Sequence, residues 1–294
     1  MKLESSGNKK LLIFNADDFG INKDFNEGVK IGYKEGFLTS ACLCANGEAF
    51  EHAIKEVLPE CEEMGLGVHL NIMEGKTTLK NYSASSLLCS SDGTYQNSFH
   101  SLLAKSKNKK LLLEIEHDFR NQIELILSQV EVDHLNSHVH IHAIPPIFEI
   151  TCKLAKEYNI TYVRTQYEKP YVVPQLQKHL NLWYPLNTIK VALLNHLSAI
   201  NHKTAAQYGV KTNDYIIGVA YTGFMDSQTI ESGLNSIKDK NCITEMLIHP
   251  CKFKDLNPKN PRYIEFLTTQ DLILQEKIKS KSWILTNYKK IDNC

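Results

Sequence analysis

Lys10-Leu11-Leu12-Ile13-Phe14-Asn15-Ala16-Asp17-Asp18-Phe19-Gly20 is the stretch on which the fold turns. Leu11 to Phe14 form an apolar run of strand length that stops at Asn15 and a pair of aspartates. A helical pattern follows at once over residues 26–34, with Val29, Ile31 and Tyr33 on it. The next strand is expected at 37–45, an amphipathic helix at 49–64, and a third strand at 65–72 with His69 inside it. Strand and helix then keep alternating: a helix over 111–130, a strand over 132–143, a helix opening at Pro145-Pro146, and a strand over 160–165 with Arg164 near its end. Further strands are expected at 215–221, 242–249 and 282–288. Helices are expected at 227–238 and at 268–279, the latter N-capped by Thr268 or Thr269.

This rhythm predicts an α/β fold of about seven strands, a distorted, TIM-barrel-like (β/α) barrel occupying residues 1–294 as a single catalytic domain. A doubly wound open sheet is the competing architecture. The polar residues decide between them: they recur at the C-terminal ends of many separate strands, as barrels place them, whereas an open sheet gathers them at one switch point. Neither a GxGxxG nor a GxxxxGK[ST] phosphate loop occurs. Two stretches depart from the rhythm, about 73–108, with an Asp92-Gly93 turn signal, and about 166–212, with a helix around 189–200. Both read as excursions that shape a pocket rim or lid.

Composition narrows the function. The chain has 294 residues, and its 33 Lys+Arg balance its 33 Asp+Glu, so no excess of positive charge serves nucleic acid or an anionic membrane surface. No apolar run approaches the roughly 20 residues that span a bilayer. The N-terminal residues are polar and the apolar run after them is too short for a signal-peptide core, which points to a cytoplasmic protein. Eight cysteines are scattered without a CxxC pair, as expected of reduced, mostly buried thiols. Cys42 and Cys44, two apart on a strand, point the same way and read as core packing.

Five features carry chemistry. Asp17 and Asp18 sit at a strand-to-loop boundary, where one carboxylate can bind a cation while its neighbour acts as a base; a helix cap or turn pair is the alternative. His69 lies in an otherwise apolar strand, as a core histidine or a ligand. His134, His138, His140 and His142 crowd one segment. On an extended strand, 138 and 142 stand roughly 13 Å apart, so they cannot both reach one ion through bonds of about 2.0–2.1 Å. At most one or two of them are ligands. His249 ends a late strand, as a structural histidine or one at the active-site end, and Arg164 after its strand reads either as a bidentate grip on a carboxylate or as an ordinary surface arginine. One carboxylate and two imidazoles from separate strands make a mixed ligand set for Zn²⁺ or another divalent ion, with positions left open for water and substrate. The chemistry this implies is hydrolysis of an amide or ester.

With NADDFG at 15–20, GVHLN at 67–71, HLNSHVHIH at 134–142 and IHP at 248–250 in order, the chain resembles the YdjC-like carbohydrate deacetylases, which include chitooligosaccharide deacetylases. The resemblance covers nearly the whole chain. It implies a hydrolase of carbohydrate metabolism that cleaves a linear amide C–N bond, removing N-acetyl groups from amino sugars with one divalent ion, Mg²⁺ or Zn²⁺, in a family whose members are often homodimers. Carried over residue by residue, it makes Asp18, His69 and His138 the metal ligands and Asp17 the base. By analogy with the wider group of polysaccharide deacetylases, His249 is the acid that protonates the departing amine and Arg164 orients Asp17. Asn71, His140 and His142 then line the sugar site or stand just behind it. Two departures stand out: Asn136 where the family usually has Asp, and Cys251 where a glycine commonly follows His-Pro. A metal-dependent phosphoesterase and a catalytically silent carbohydrate-binding protein are the rival functions.

Overall fold

In the computed structural model, residues 9–82, 86–174, 176–178, 184–253 and 259–293 are described. Cys294, the polar N-terminal residues before Lys9 and parts of the second excursion lie outside them. Eight parallel strands appear among the described residues: β1 (Lys10–Phe19), β2 (Ser40–Leu43), β3 (Gly65–Leu70), β4 (His134–Ser137), β5 (Tyr162–Val163), β6 (Tyr215–Ile217), β7 (Cys242–Ile248) and β8 (Trp283–Thr286). Seven of them lie in the order β5-β4-β3-β2-β1-β7-β6, and β8 pairs with β1 off this path. Read as a ring, that is plain sequence order with one gap, between β5 and β6. Isolated backbone bonds reach across the gap, from Val163 N to Lys211 O at 3.0 Å and from Ile216 N to Tyr167 O at 2.9 Å. A doubly wound sheet would reverse its order in the middle. The fold is therefore a curled, TIM-barrel-like α/β sheet, with helices packed on its outer face.

β1 is the axis of the distortion. One edge pairs with β7 from Lys10↔Cys242 to Ala16↔Ile248. The other is shared, β8 taking Lys10 to Ile13 and β2 taking the stretch from Asn15 to Phe19. Alternation along β1 sends Leu12, Phe14 and Ala16 into the main apolar core. Leu11 and Ile13 instead join a small cluster with Tyr162, Tyr288 and Ile291. Above that cluster the same face of β1 turns polar at Asn15 and Asp17.

The helices are α1 (Lys23–Lys34), α2 (Phe50–His52), α3 (Phe99–Ala104), α4 (Lys109–Leu127), α5 (Pro145–Glu157), α6 (Tyr184–Tyr208), α7 (Ser227–Ser236), α8 (Pro261–Thr268) and α9 (Leu272–Ser280). No helix among the described residues is long and apolar enough to cross a membrane. α5 opens on Pro145, where a missing N–H costs nothing. Three sequence expectations need correction. The helix over 49–64 breaks up into α2, a wide turn at Ala53–Val57 and a 3₁₀ turn at Leu58–Glu60, because Pro59 has no N–H to give. Thr268 and Thr269 do not cap a helix start: they end α8, and Asp271 caps α9 by accepting from Ile273 N and Leu274 N. The strand over 132–143 stops at Ser137. His138–Ala143 is a kinked 3₁₀ segment in which Val139 (φ 52°) and His140 (φ 59°) take left-handed conformations. In the first excursion Gly93 (φ 84°) makes the expected turn, and the helix around 189–200 is the middle of α6.

Candidate active site

The register between β1 and β2 slips between Ala16 and Phe19, and within that slip Asp18 has φ 67°. An irregularity of this kind re-aims side chains that strict alternation would send to opposite faces. It brings Asp17 and Asp18 to the same end of the sheet, both buried.

Asp17 is clamped. Arg164 reaches it with two parallel bonds, Nη1 to Oδ2 and Nη2 to Oδ1, each 2.7 Å. Asn15 Nδ2 and Asn136 Nδ2 donate to Oδ1 at 2.9 and 3.0 Å. Arg164 also pairs with Glu245, whose other oxygen accepts from Tyr288 Oη at 2.6 Å. A buried polar column thus runs from Tyr288 through Glu245 and Arg164 to Asp17. Burial alone would push the Asp17 carboxyl up; the Arg164 charge, followed by His69, outweighs it and holds the group at about 2.

Asp18 faces imidazoles. Its Oδ1 lies 3.4 Å from His69 Nε2 and 2.9 Å from His138 Nδ1. Burial opposes ionisation here too, and the hydrogen bonds from the two histidines hold the carboxyl well below its ordinary range. The kink after Ser137 is what delivers His138, whose Nε2 lies 3.6 Å from Glu74 Oε1. Burial works against the His138 cation, but Asp18 and Glu74 raise it to about 10. On the far side of His69, Nδ1 donates to Asn136 Oδ1 at 2.6 Å. That bond fixes the ring with its Nε2 toward Asp18. Among the described residues two groups of three metal-binding side chains have their ligand atoms within 4.8 Å of one another, Asp17–Cys42–His69 and Asp18–Cys44–His69; the expected set of Asp18, His69 and His138 is more widely spaced.

A cavity of about 140 Å³ opens beside these groups, lined by Asp17, Asp18, His69, His138, His140 and His249 together with Lys190, Thr222 and Arg262. The backbone N–H and Nδ1 of His249 both engage the buried carboxylate of Glu265. His140 reaches the cavity wall with its Nδ1 buried and unpartnered among the described residues. His142 does not line the cavity: its ring bonds Ser137 Oγ, Arg164 O and Gln166 Nε2, and burial lowers its pKa to about 3. Asn71 is likewise behind the wall, accepting from Met73 N and Glu74 N and so shaping the turn that offers Glu74 to His138.

Sequence reading missed the roles of Glu245, Glu265 and Lys190. Glu245 had a signal, a carboxylate in an otherwise apolar strand. Glu265 and Lys190 sit on helices, where a charge reads as an ordinary solvated face.

Residues 11–280 match the family model described as YdjC-like protein. A carbohydrate deacetylase of Clostridium beijerinckii is 29% identical over 262 residues, 87% of this chain and 98% of that protein. One from Thermoanaerobacter pseudethanolicus is 24% identical over 95% of this chain and 98% of its own length. The crystal structure of a cellobiose-phosphate cleavage protein from Enterococcus faecalis V583 superposes with a TM-score of 0.74 at 19% identity, covering 96% of this chain and 99% of that one. At that identity the likeness is one of fold.

Proposed function

The chain belongs to the YdjC-like family, and from that premise we propose that it is a metal-dependent carbohydrate deacetylase that removes the N-acetyl group from an amino sugar or chitooligosaccharide and releases acetate. The observation that carries this reading is the pair of adjacent carboxylates with different partners, Asp17 gripped by Arg164 and Asp18 shared between His69 and His138.

A carboxylate with two imidazoles is a donor set that suits a divalent ion, Mg²⁺ or Zn²⁺. Asp18 Oδ1 stands 3.4 and 2.9 Å from the two imidazole nitrogens, close to the separation of about 3.3 Å expected between two donors bound at about 2.0–2.1 Å to a tetrahedral ion, while the two imidazoles stand farther from each other and would draw together to share one ion. Held by Asp18, His69 and His138, such an ion supplies Lewis acidity toward water and the acyl oxygen, which matters because a base held at about 2 has little proton affinity of its own.

The chain's own residues do the rest. Asp17 stays ionised through the neutral range and accepts the proton of the attacking water, while Arg164 keeps both of its oxygens oriented. Glu265 occupies His249 Nδ1, which leaves Nε2 to protonate the departing amine, a poor leaving group until it is neutral. His140 contacts substrate at the cavity wall. Asn71 and His142 hold that wall from behind.

The test is Asp17→Asn: the variant keeps its cation and loses acetate release from di-N-acetylchitobiose. Full activity in that variant would remove Asp17 as the base. Turnover of a phosphodiester in place of the N-acetylated sugar would redirect the reading to a phosphoesterase, and sugar binding without acetate would mark a silent binding protein.

A further inference from the structure

Cys42 and Cys44 flank Leu43 and point the same way, yet their surroundings differ. Cys42 Sγ is fully engaged: Asn136 Nδ2 donates to it at 2.8 Å and Asn15 Nδ2 at 3.4 Å, and His134 Nε2 lies 2.9 Å away. Its part in the polar interior is structural. Cys44 Sγ has no hydrogen-bond partner among the described residues, although the side chain is fully buried. Cys61, Cys89, Cys152 and Cys242 belong to the main apolar core, as do Leu43 and Ala45 on either side of Cys44, but Cys44 itself does not. Its backbone N–H donates to Phe19 O at 2.8 Å, which pins it beside the end of β1 that carries Asp18. The sulfur, a carboxylate oxygen of Asp18 and a ring nitrogen of His69 all lie within 4.8 Å of one another.

We propose that Cys44 joins Asp18 and His69 as a ligand of the cation, and that its sulfur gives this centre a preference for a thiophilic ion, Zn²⁺ or Co²⁺, over Mg²⁺. The inference rests on the metal-dependent reading above and adds to it the identity of a donor and of the ion it selects. Thiolate is a soft ligand that suits Zn²⁺ and is poorly matched to Mg²⁺, whose sites are built from oxygen. Coordination forms the metal–sulfur bond as the thiol proton leaves to solvent; no electrons are transferred.

Zinc K-edge X-ray absorption on the intact, Zn²⁺-loaded protein reads the ligand directly. One sulfur at about 2.3 Å is expected beside nitrogen and oxygen at about 2.0–2.1 Å. Cys44→Ala removes that sulfur and lowers the preference for Zn²⁺ over Mg²⁺ in competition titrations by at least about tenfold, whereas Cys42→Ala leaves the sulfur signal in place. A bound zinc surrounded only by nitrogen and oxygen overturns the role of Cys44 while leaving the metal-dependent reading intact. Loss of the sulfur signal in Cys42→Ala but not in Cys44→Ala assigns it to the wrong cysteine and also overturns the proposal. If the wild-type protein takes up no zinc, and Asp18→Asn binds no less than it does, the metal-dependent reading fails and the proposal falls with it. The wild-type spectrum decides the matter even if a cysteine variant does not fold.

Discussion

Asp17 and Asp18 are neighbours on one strand, 2% and 4% exposed, and both are held ionised against the cost of burial. Their partners differ in kind. Around Asp17 stand a guanidinium that never loses its charge and two side-chain amides, donors that fix a carboxylate in place and offer no lone pair to a metal. Around Asp18 stand two imidazoles whose lone pairs serve a metal as readily as a proton, next to a cavity. Burial is common to both sides. On the proposed reading, what makes one of them an oriented base and the other a ligand is whether the neighbouring donors are permanent or exchangeable.

That comparison breaks most directly if the two acids prove interchangeable. Asp18→Asn should abolish divalent-ion binding and with it acetate release, whereas Asp17→Asn should retain the ion and lose about 10²–10⁴-fold in kcat with KM little changed. Calorimetric titration with Zn²⁺ beside a kinetic assay separates the two outcomes. Equal loss of ion binding in both variants would erase the distinction.

Arg164→Leu tests the permanent-charge side. It leaves the carboxylates of Asp17 and Glu245 buried without their cation, a loss of about 3–5 kcal/mol by chemical denaturation. The pH dependence has a definite sign. In the wild type the folded Asp17 sits at about 2, below its ordinary value of 3.8, so its contribution to stability is complete above about pH 4 and disappears as pH falls through about 2. Without Arg164, burial is left to push the carboxyl upward, and acid unfolding should begin at a higher pH. An unchanged acid transition would show that Arg164 is not what holds Asp17 down.

Two smaller effects sharpen the picture. Glu265→Gln keeps the shape beside His249 but removes the charge that steadies its ring, and about a tenfold fall in kcat with unchanged ion binding is expected. Asn136→Asp replaces an amide donor to Asp17 with a like charge. The acid limb of the kcat/KM profile should then move up by about one pH unit, while His69 keeps an acceptor for Nδ1. No movement of that limb would mean that Asp17 does not sense residue 136.

The parts of the fold legible from the chain were those written in local pattern. The apolar run at Leu11 to Phe14 and its repeats located strands because a buried parallel strand needs little else, and acids and histidines at strand ends marked one face of a barrel. His138 was harder. Spacing alone set it against His140 and His142 on an assumed extended strand, and left-handed backbone at Val139 and His140 cannot be read from residue types that ordinarily avoid it.

By itself, then, the sequence determined the α/β class, the barrel-like alternation of strand and helix and many of the residues able to do acid–base and ligand chemistry, because hydrophobic period and side-chain type are local properties. Only the tertiary structure decided which of those residues meet. The slip in β1 that turns Asp17 and Asp18 to one end, the kink that brings His138 to Asp18, the grip of Arg164 on Asp17 and the different surroundings of Cys42 and Cys44 all depend on contacts between strands far apart in the chain. Burial makes those contacts matter: inside the protein an unpaired charge is costly, so the partner supplied by a distant strand settles what each group can do.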